Sequence, residues 1–212
     1  MSAQVHHPLF ARFYVRVLAR NEPEEIRAHR EELLAGLHGR VVEVGAGSGA
    51  NFAHYPPDVT EVVAIEPEPY LRREAAAAAS RARVRVTIRD GIADALPLGD
   101  ASVDAAVACL VLCSVPDQAR ALAELHRVLR PDGELRYYEH VRAPTSRMAR
   151  WQRAVDCTFW PHAFGGCHTA RDTVGAIAAA GFVLERHRDL RLGSLPPFVP
   201  VSTHAIGVAR RA

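Results

Sequence analysis

Glu43, Gly45, Gly47 and Gly49 stand at alternate positions in the stretch Val41-Val42-Glu43-Val44-Gly45-Ala46-Gly47-Ser48-Gly49-Ala50-Asn51. Val41, Val42 and Val44 suit a strand covered on both faces. The glycines let the backbone turn tightly and approach a ligand with no Cβ in the way. A helix starting behind such a turn points its free N–H groups and positive dipole end at that ligand. The spacing is G-x-G-x-G, not the dinucleotide G-x-G-x-x-G, and the Lys-Ser/Thr pair of a P-loop is absent. Glu66 closes the next apolar run, about 20 residues beyond the glycines, where an acid of a βαβ nucleotide fold accepts from both ribose hydroxyls. A helix cap or a solvated strand end is the plainer reading of Glu66; the glycine turn upstream favours the ribose.

Other reactive-looking sets carry less. Cys157, His162, Cys167 and His168 are ligand-type residues, but no CxxC anchors them and their spacing fits no standard zinc site, so no metal is expected. The Ser114 region lacks a nucleophile elbow, which argues against hydrolysis. Cys109 reads as core packing.

The elements that must position these residues alternate. A helix over residues 8–20 shows Phe10, Phe13, Tyr14, Val17 and Leu18 on one face and Arg12, Arg16 and Arg20 on the other. It reads as a helix packed on the core, with a movable lid and a membrane-surface patch as alternatives. A second helix follows over Glu22–Leu37. Strands are expected to end at Val44 and Glu66, over Arg83–Arg89, over Ala105–Leu112 and up to Val141, with helices over Pro69–Ser80 and Asp117–Arg130. Residues 142–170 lack clean periodicity and carry Trp151, Phe159, Trp160, Phe164, Gly165 and Gly166, which reads as a substrate loop. A helix over Arg171–Ala180 precedes two final strands, Phe182–Arg188 and Ser202–Arg210. The pattern predicts a doubly wound α/β domain over 1–212, its seven-stranded sheet mostly parallel and its last strand antiparallel, with a helical cap at 1–38 and a substrate-loop insertion at 142–170.

Composition agrees with one globular domain: 212 residues, 49% hydrophobic and 24% charged. A formal charge of +2 is too balanced for a nucleic-acid partner. The four cysteines form no disulfide framework and read as reduced thiols in a cytoplasmic protein. No apolar run approaches a membrane span, so no stable membrane anchor is expected.

Read together, the pieces acquire a family resemblance. Glu43-x-Gly45-x-Gly47-x-Gly49 resembles motif I of the class I S-adenosylmethionine (SAM) methyltransferases, and Asp94-Ala95-Leu96-Pro97 with Ser102-Val103-Asp104 resembles their adenine loop. Leu129-Arg130-Pro131-Asp132-Gly133 is a landmark of the same superfamily. Leu110-Val111-Leu112-Cys113-Ser114-Val115, Glu139-His140-Val141 and Gly166-Cys167-His168-Thr169 resemble the methyltransferase-like alkyl-thiol S-methyltransferases; their animal members begin with a hydrophobic anchor, and none is expected here.

The resemblance implies SAM as donor and S-adenosylhomocysteine as product. It places Glu43, Gly45, Ala46, Gly47, Gly49, Asn51, Glu66, Pro67, Ile92, Ala93, Asp94 and Leu110 around the cofactor, with Asp90 a competitor for the acid. The acceptor is expected to be a small molecule, most often a thiol, methylated in line by a monomer or homodimer. A thiol must lose its proton to attack. His140 and His168 are therefore candidate bases, with Cys113 beside them and Arg171 holding the loop or a negative charge. The alternatives are carbon, oxygen or nitrogen methylation of a quinone, lipid or natural product, and a non-catalytic SAM-binding module.

Overall fold

The computed structural model describes residues 7–212; the part of the expected cap at 1–6 lies outside them. Seven strands form one sheet: β1 (Gly39–Val44), β2 (Val59–Ile65), β3 (Val86–Arg89), β4 (Val103–Cys109), β5 (Leu129–His140), β6 (Phe182–Arg191) and β7 (Thr203–Arg211), in the order β3-β2-β1-β4-β5-β7-β6. β1 to β5 pair in parallel, and β7 runs antiparallel between β5 and β6. The order reverses between β1 and β4, so their carboxyl ends open a crevice there.

Alternation along the central strands sends residues into two cores. Val42 and Val44 of β1, with Ala106 and Ala108 of β4, meet α4 (Gln118–Val128) through Leu122 and Leu125, and α7 (Thr173–Ala179) through Ile177. Val41, Ala105, Val107 and Cys109 point the other way, towards Leu33 and Leu34 of α2 (Glu24–Leu34) and Ala75 of α3 (Pro69–Ala79). Glu43 shares the second direction, which puts a carboxylate into an apolar layer. The helices start on local signals. Asp117 accepts from Arg120 N–H to cap α4, and Asp172 accepts from Gly175 N–H to cap α7.

Several expectations need correction. No α-helix begins behind the glycine turn. Residues Gly47–Asn51 are turns, followed by one 3-10 turn over Phe52–His54, because Pro56 and Pro57 leave no room to propagate a helix. β3 is shorter than expected, and β4 runs over Val103–Cys109, not Ala105–Leu112, because Leu110 adopts φ +58 and turns the chain out of the sheet. The aperiodic stretch contains two helices, α5 (Ser146–Asp156) and α6 (Trp160–Ala163). The first helix is α1 (Pro8–Phe13), continued by a π-helical turn over Tyr14–Leu18. Its inner face is Phe10, Ala11, Tyr14 and Val15, while Phe13, Val17 and Leu18 face outwards.

Candidate active site

The glycine turn and Glu66 meet at the carboxyl ends of β1 and β2. Glu66 is buried; its carboxylate accepts from Gly47 N–H at 2.8 Å and from Glu68 N–H at 2.9 Å. Burial pushes the Glu66 carboxyl above its ordinary range, and the two N–H groups pull it part of the way back. Gly45, Gly47 and Gly49 all have positive φ, between 57° and 81°. Pro67 follows Glu66 in the turn into α3. Beneath the turn, Glu43 accepts from Asn51 Nδ2 at 2.8 Å and Tyr55 Oη at 2.7 Å, and Arg30 Nη1 donates to Asn51 Oδ1 at 2.8 Å. Arg30, itself buried, also donates to Cys109 Sγ and to Glu22. Cys109 is thus core with a hydrogen bond, its thiol pushed up to about 12 by burial.

The adenine-loop candidates lie beside β4. Ala93 is buried, and Ile92 bridges Ala95 in a tight turn. Asp94 accepts from Asp117 N–H at the start of α4, while its Oδ1 is buried without a partner. Burial raises its carboxyl, and Arg120 and Arg171 partly offset this.

Past Leu110 the chain folds into a loop that one carboxylate fixes. Glu139, fully buried near the end of β5, accepts from the N–H groups of Val111 (3.0 Å), Leu112 (2.9 Å) and Cys113 (3.3 Å). Arg171 Nη1 donates to Leu112 O at 2.7 Å, and His168 N–H donates to Cys113 O at 2.8 Å. These bonds bring Cys113, His140 and Cys167 together, their donor atoms all within 4.8 Å of one another. His140 Nδ1 lies 3.6 Å from Cys167 Sγ. The Cys113 thiol is held well above its ordinary value, first by its hydrogen bond to Cys167 and then by burial. Burial lowers His140, but Cys113 and Glu139 outweigh it and leave the imidazole raised. His168 Nδ1 sits 2.8 Å from Gly166 O. A carbonyl only accepts, so Nδ1 carries the hydrogen and Nε2 of the neutral ring keeps a free lone pair. Cys157 and His162 are exposed and do not join this cluster.

The N-terminal segment spans both halves. Tyr14 lies over Gly47 and bonds to Ser48, His7 N–H donates to Glu68, and the Phe10 ring packs on Phe164 at 6.4 Å and against Gly165.

The family profile described as "Methyltransferase domain" matches residues 42–137. Thiol S-methyltransferase TMT1B of Rattus norvegicus is 36% identical over 177 residues, covering 80% of this chain and 69% of that protein. Thiol S-methyltransferase TMT1A of Homo sapiens is also 36% identical, over 75% of this chain and 69% of its own length. The chain belongs to the class I SAM-dependent methyltransferases, alongside the thiol S-methyltransferases. Solved structures share its fold. A putative methyltransferase from Bacillus halodurans superposes with TM-score 0.70 at 16% identity, covering 89% of this chain and 99% of that one. A geranyl diphosphate C-methyltransferase from Streptomyces coelicolor gives 0.68 at 15%, covering 97% and 85%.

Two properties of this methyltransferase follow from the packing beneath its glycine turn. A β-carbon on Gly45 would sit 2.2 Å from Val111 Cγ2, at φ +62. Gly45→Ala is therefore expected to cost about 2–4 kcal/mol in overpacking and left-handed strain, read from urea unfolding. Val111→Ala on that background should return part of the loss; an unchanged midpoint in the single variant would contradict the close approach.

The second concerns Glu43, which burial raises from an ordinary 4.5 to about 7, against the pull of Tyr55, Asn51 and Arg30. Its folded value exceeds its unfolded one, so its contribution to stability is complete below pH 4.5 and is lost as pH rises through about 7. The difference is on the order of 3 kcal/mol. Glu43→Gln removes it, so wild type should lose stability relative to the variant between those pH values and run parallel above them. Parallel curves throughout would rule out the raised carboxyl.

Sequence reasoning passed over Arg30, Glu139 as an anchor, Gln152 and Asp156. Gln152 bonds Ala143 N–H and the carbonyls of Val141 and Pro200, and Asp156 accepts from Thr169 and Ala170, so α5 fixes the loop that carries Cys167 and His168. The available signal was a charge inside an apolar strand, as at Tyr138-Glu139, which must be paired when buried.

Proposed function

We propose that this enzyme methylates the sulfur of a small thiol. The observation that carries the reading is the placement of His140 and His168 beside the loop at Leu110–Ser114, one strand over from the glycine turn and Glu66. In this reading Glu66 accepts from the ribose hydroxyls in place of the two backbone N–H groups it now serves. Gly45, Ala46, Gly47 and Gly49 pass close to the methionine portion of SAM, with Glu43 and Asn51 shaping the turn from below. Pro67, Ile92, Ala93 and Leu110 border the adenosine, and the unpartnered Oδ1 of Asp94 is free for the adenine edge. When bound, SAM supplies a methyl group already activated by its positive sulfur.

The chain's own work is alignment and proton removal. Nucleophile, methyl carbon and leaving sulfur must lie in line. His168 takes the acceptor's proton on Nε2, and His140 with Cys113 lines the acceptor side. The segment from Pro8 to Leu18 lies across both halves, which suits a lid. Among the described residues no helix is long and apolar enough to cross a membrane. The reading of its four cysteines as reduced thiols favours the cytoplasm, and we propose a monomer or homodimer there.

A second reading, methylation at carbon, keeps support from the ubiquinone/menaquinone C-methyltransferase UbiE of Syntrophotalea carbinolica, 29% identical over 79% of this chain and 78% of that protein. A panel of small thiols, phenols, amines and quinols with methyl-labelled SAM separates the two. Label is expected in methyl thioethers; label confined to quinol or phenol products, or to none, overturns the thiol reading.

A further inference from the structure

Three soft donors from three separate segments converge at the end of the sheet. Cys113 comes from the loop after β4, His140 from the end of β5, and Cys167 from the glycine-bearing loop before α7. Both cysteines are buried, and among the described residues no carboxylate joins the group. We propose that Cys113, His140 and Cys167 bind a zinc ion, whose fourth position takes the sulfur of the acceptor thiol. The second half of this proposal rests on the thiol reading above; the ion site does not.

The distances fit the ion. Zinc holds thiolate sulfur at about 2.3 Å and imidazole nitrogen at about 2.0–2.1 Å, so a tetrahedral site separates S from N by roughly 3.6 Å and S from S by roughly 3.8 Å. His140 Nδ1 and Cys167 Sγ stand at 3.6 Å, and no pair in the group exceeds 4.8 Å. The charges fit as well. Two thiolates and a neutral imidazole cancel a divalent cation, which suits a site with both cysteines buried and the histidine half-buried. Three protein ligands with a fourth position open is the arrangement of reactive zinc sites, whereas structural ones are closed by four.

The supports are also in place. Glu139 grips three consecutive N–H groups up to Cys113, and the His168 N–H to Cys113 O bond ties the two cysteine loops together. Gly165 and Gly166 adopt φ +60 and +85, and a β-carbon on Gly166 would lie 2.9 Å from Ser114 O, so the loop reaches the cluster only with glycine there. Thiol methylation gains directly from such an ion. The acceptor's S–H proton leaves to His168, and the sulfur stays on zinc as a thiolate. Its electron pair forms the bond to the methyl carbon as the carbon–sulfonium bond breaks. That bonding pair stays on the donor sulfur and neutralises it, and the product, an uncharged thioether, is a poorer ligand and departs.

The test uses full-length protein, reduced and stripped of metal with a chelator, then titrated with Zn2+ and separately with Co2+. One equivalent is expected to bind, with a thiolate-to-cobalt charge-transfer band and a tetrahedral cobalt spectrum. Cys113→Ser and Cys167→Ser should each lose that band while still binding S-adenosylhomocysteine, which reports their folding. A small thiol should perturb the cobalt spectrum, and restoring zinc should raise thiol methylation. No uptake by the reduced wild type, including the case where air oxidation instead yields a Cys113–Cys167 disulfide, overturns the proposal, as does undiminished uptake by the double serine variant. If stripped protein methylates thiols at full rate, the ion's part in the reaction falls and the thiol reading stands. If cysteine-dependent uptake occurs but no thiol is methylated, the thiol reading falls and the ion site stands.

Discussion

Replacing Glu66 by Ala is expected to weaken binding of SAM and S-adenosylhomocysteine by about 100-fold. A hydrogen bond to a charged acceptor contributes roughly 1.5–3 kcal/mol, and two ribose hydroxyls are lost together, which makes about 3 kcal/mol or more. Glu66→Gln keeps one acceptor oxygen and should lose less, nearer tenfold. Calorimetric titration of S-adenosylhomocysteine measures this without turnover. Because Glu66 also accepts from Gly47 and Glu68, unfolding is measured on the same samples, so that lost affinity is not mistaken for a collapsed turn. Wild-type affinity in a folded Glu66→Ala protein would remove the sugar from this carboxylate.

His168→Ala should lower turnover by about 100-fold or more with an alkyl thiol, the usual contribution of a positioned general base, while leaving S-adenosylhomocysteine affinity unchanged. The deficit should depend on the acceptor. An aryl thiol that is already ionised at neutral pH needs no base and should be methylated by the variant nearly as fast as by wild type. His140→Ala, which removes a neighbour of both cysteines, should slow aryl and alkyl thiols alike. Equal losses across acceptors for His168→Ala would mean that this ring only props the loop through Gly166. Unchanged turnover in both variants would end any part for the two histidines.

Much of the fold could be read from the chain because its central strands are covered on both faces. Val41-Val42 with Val44, and the apolar run after Val103, cannot be anything but buried, and the glycines and Glu66 mark where they stop. Legibility failed where local pattern and long-range geometry part. α5 was hidden because its inward residues, Ala149, Gln152 and Val155, include a glutamine that is buried only because three backbone groups bond to it. The outward Phe13, Val17 and Leu18 misled for the opposite reason, since aromatic and aliphatic residues on a short helix need not face inwards. Of the reactive residues, His140 and Cys113 were noticed singly. Their meeting with Cys167 depends on the left-handed turn at Leu110 and on Glu139, neither of which leaves a spacing rule in the sequence.

The buried chain Arg30–Asn51–Glu43–Tyr55, anchored at the half-buried Glu22, has a consequence for how the helix before the first strand is regarded. It makes the helix over Glu24–Leu34 a foundation stone of the proposed donor site and not an awning that can be taken down. A shortened protein that begins at the first strand would leave Asn51 and Glu43 buried with no cation behind them. Such a truncation should forfeit donor recognition together with folding, even though every residue of the signature stretch is still present.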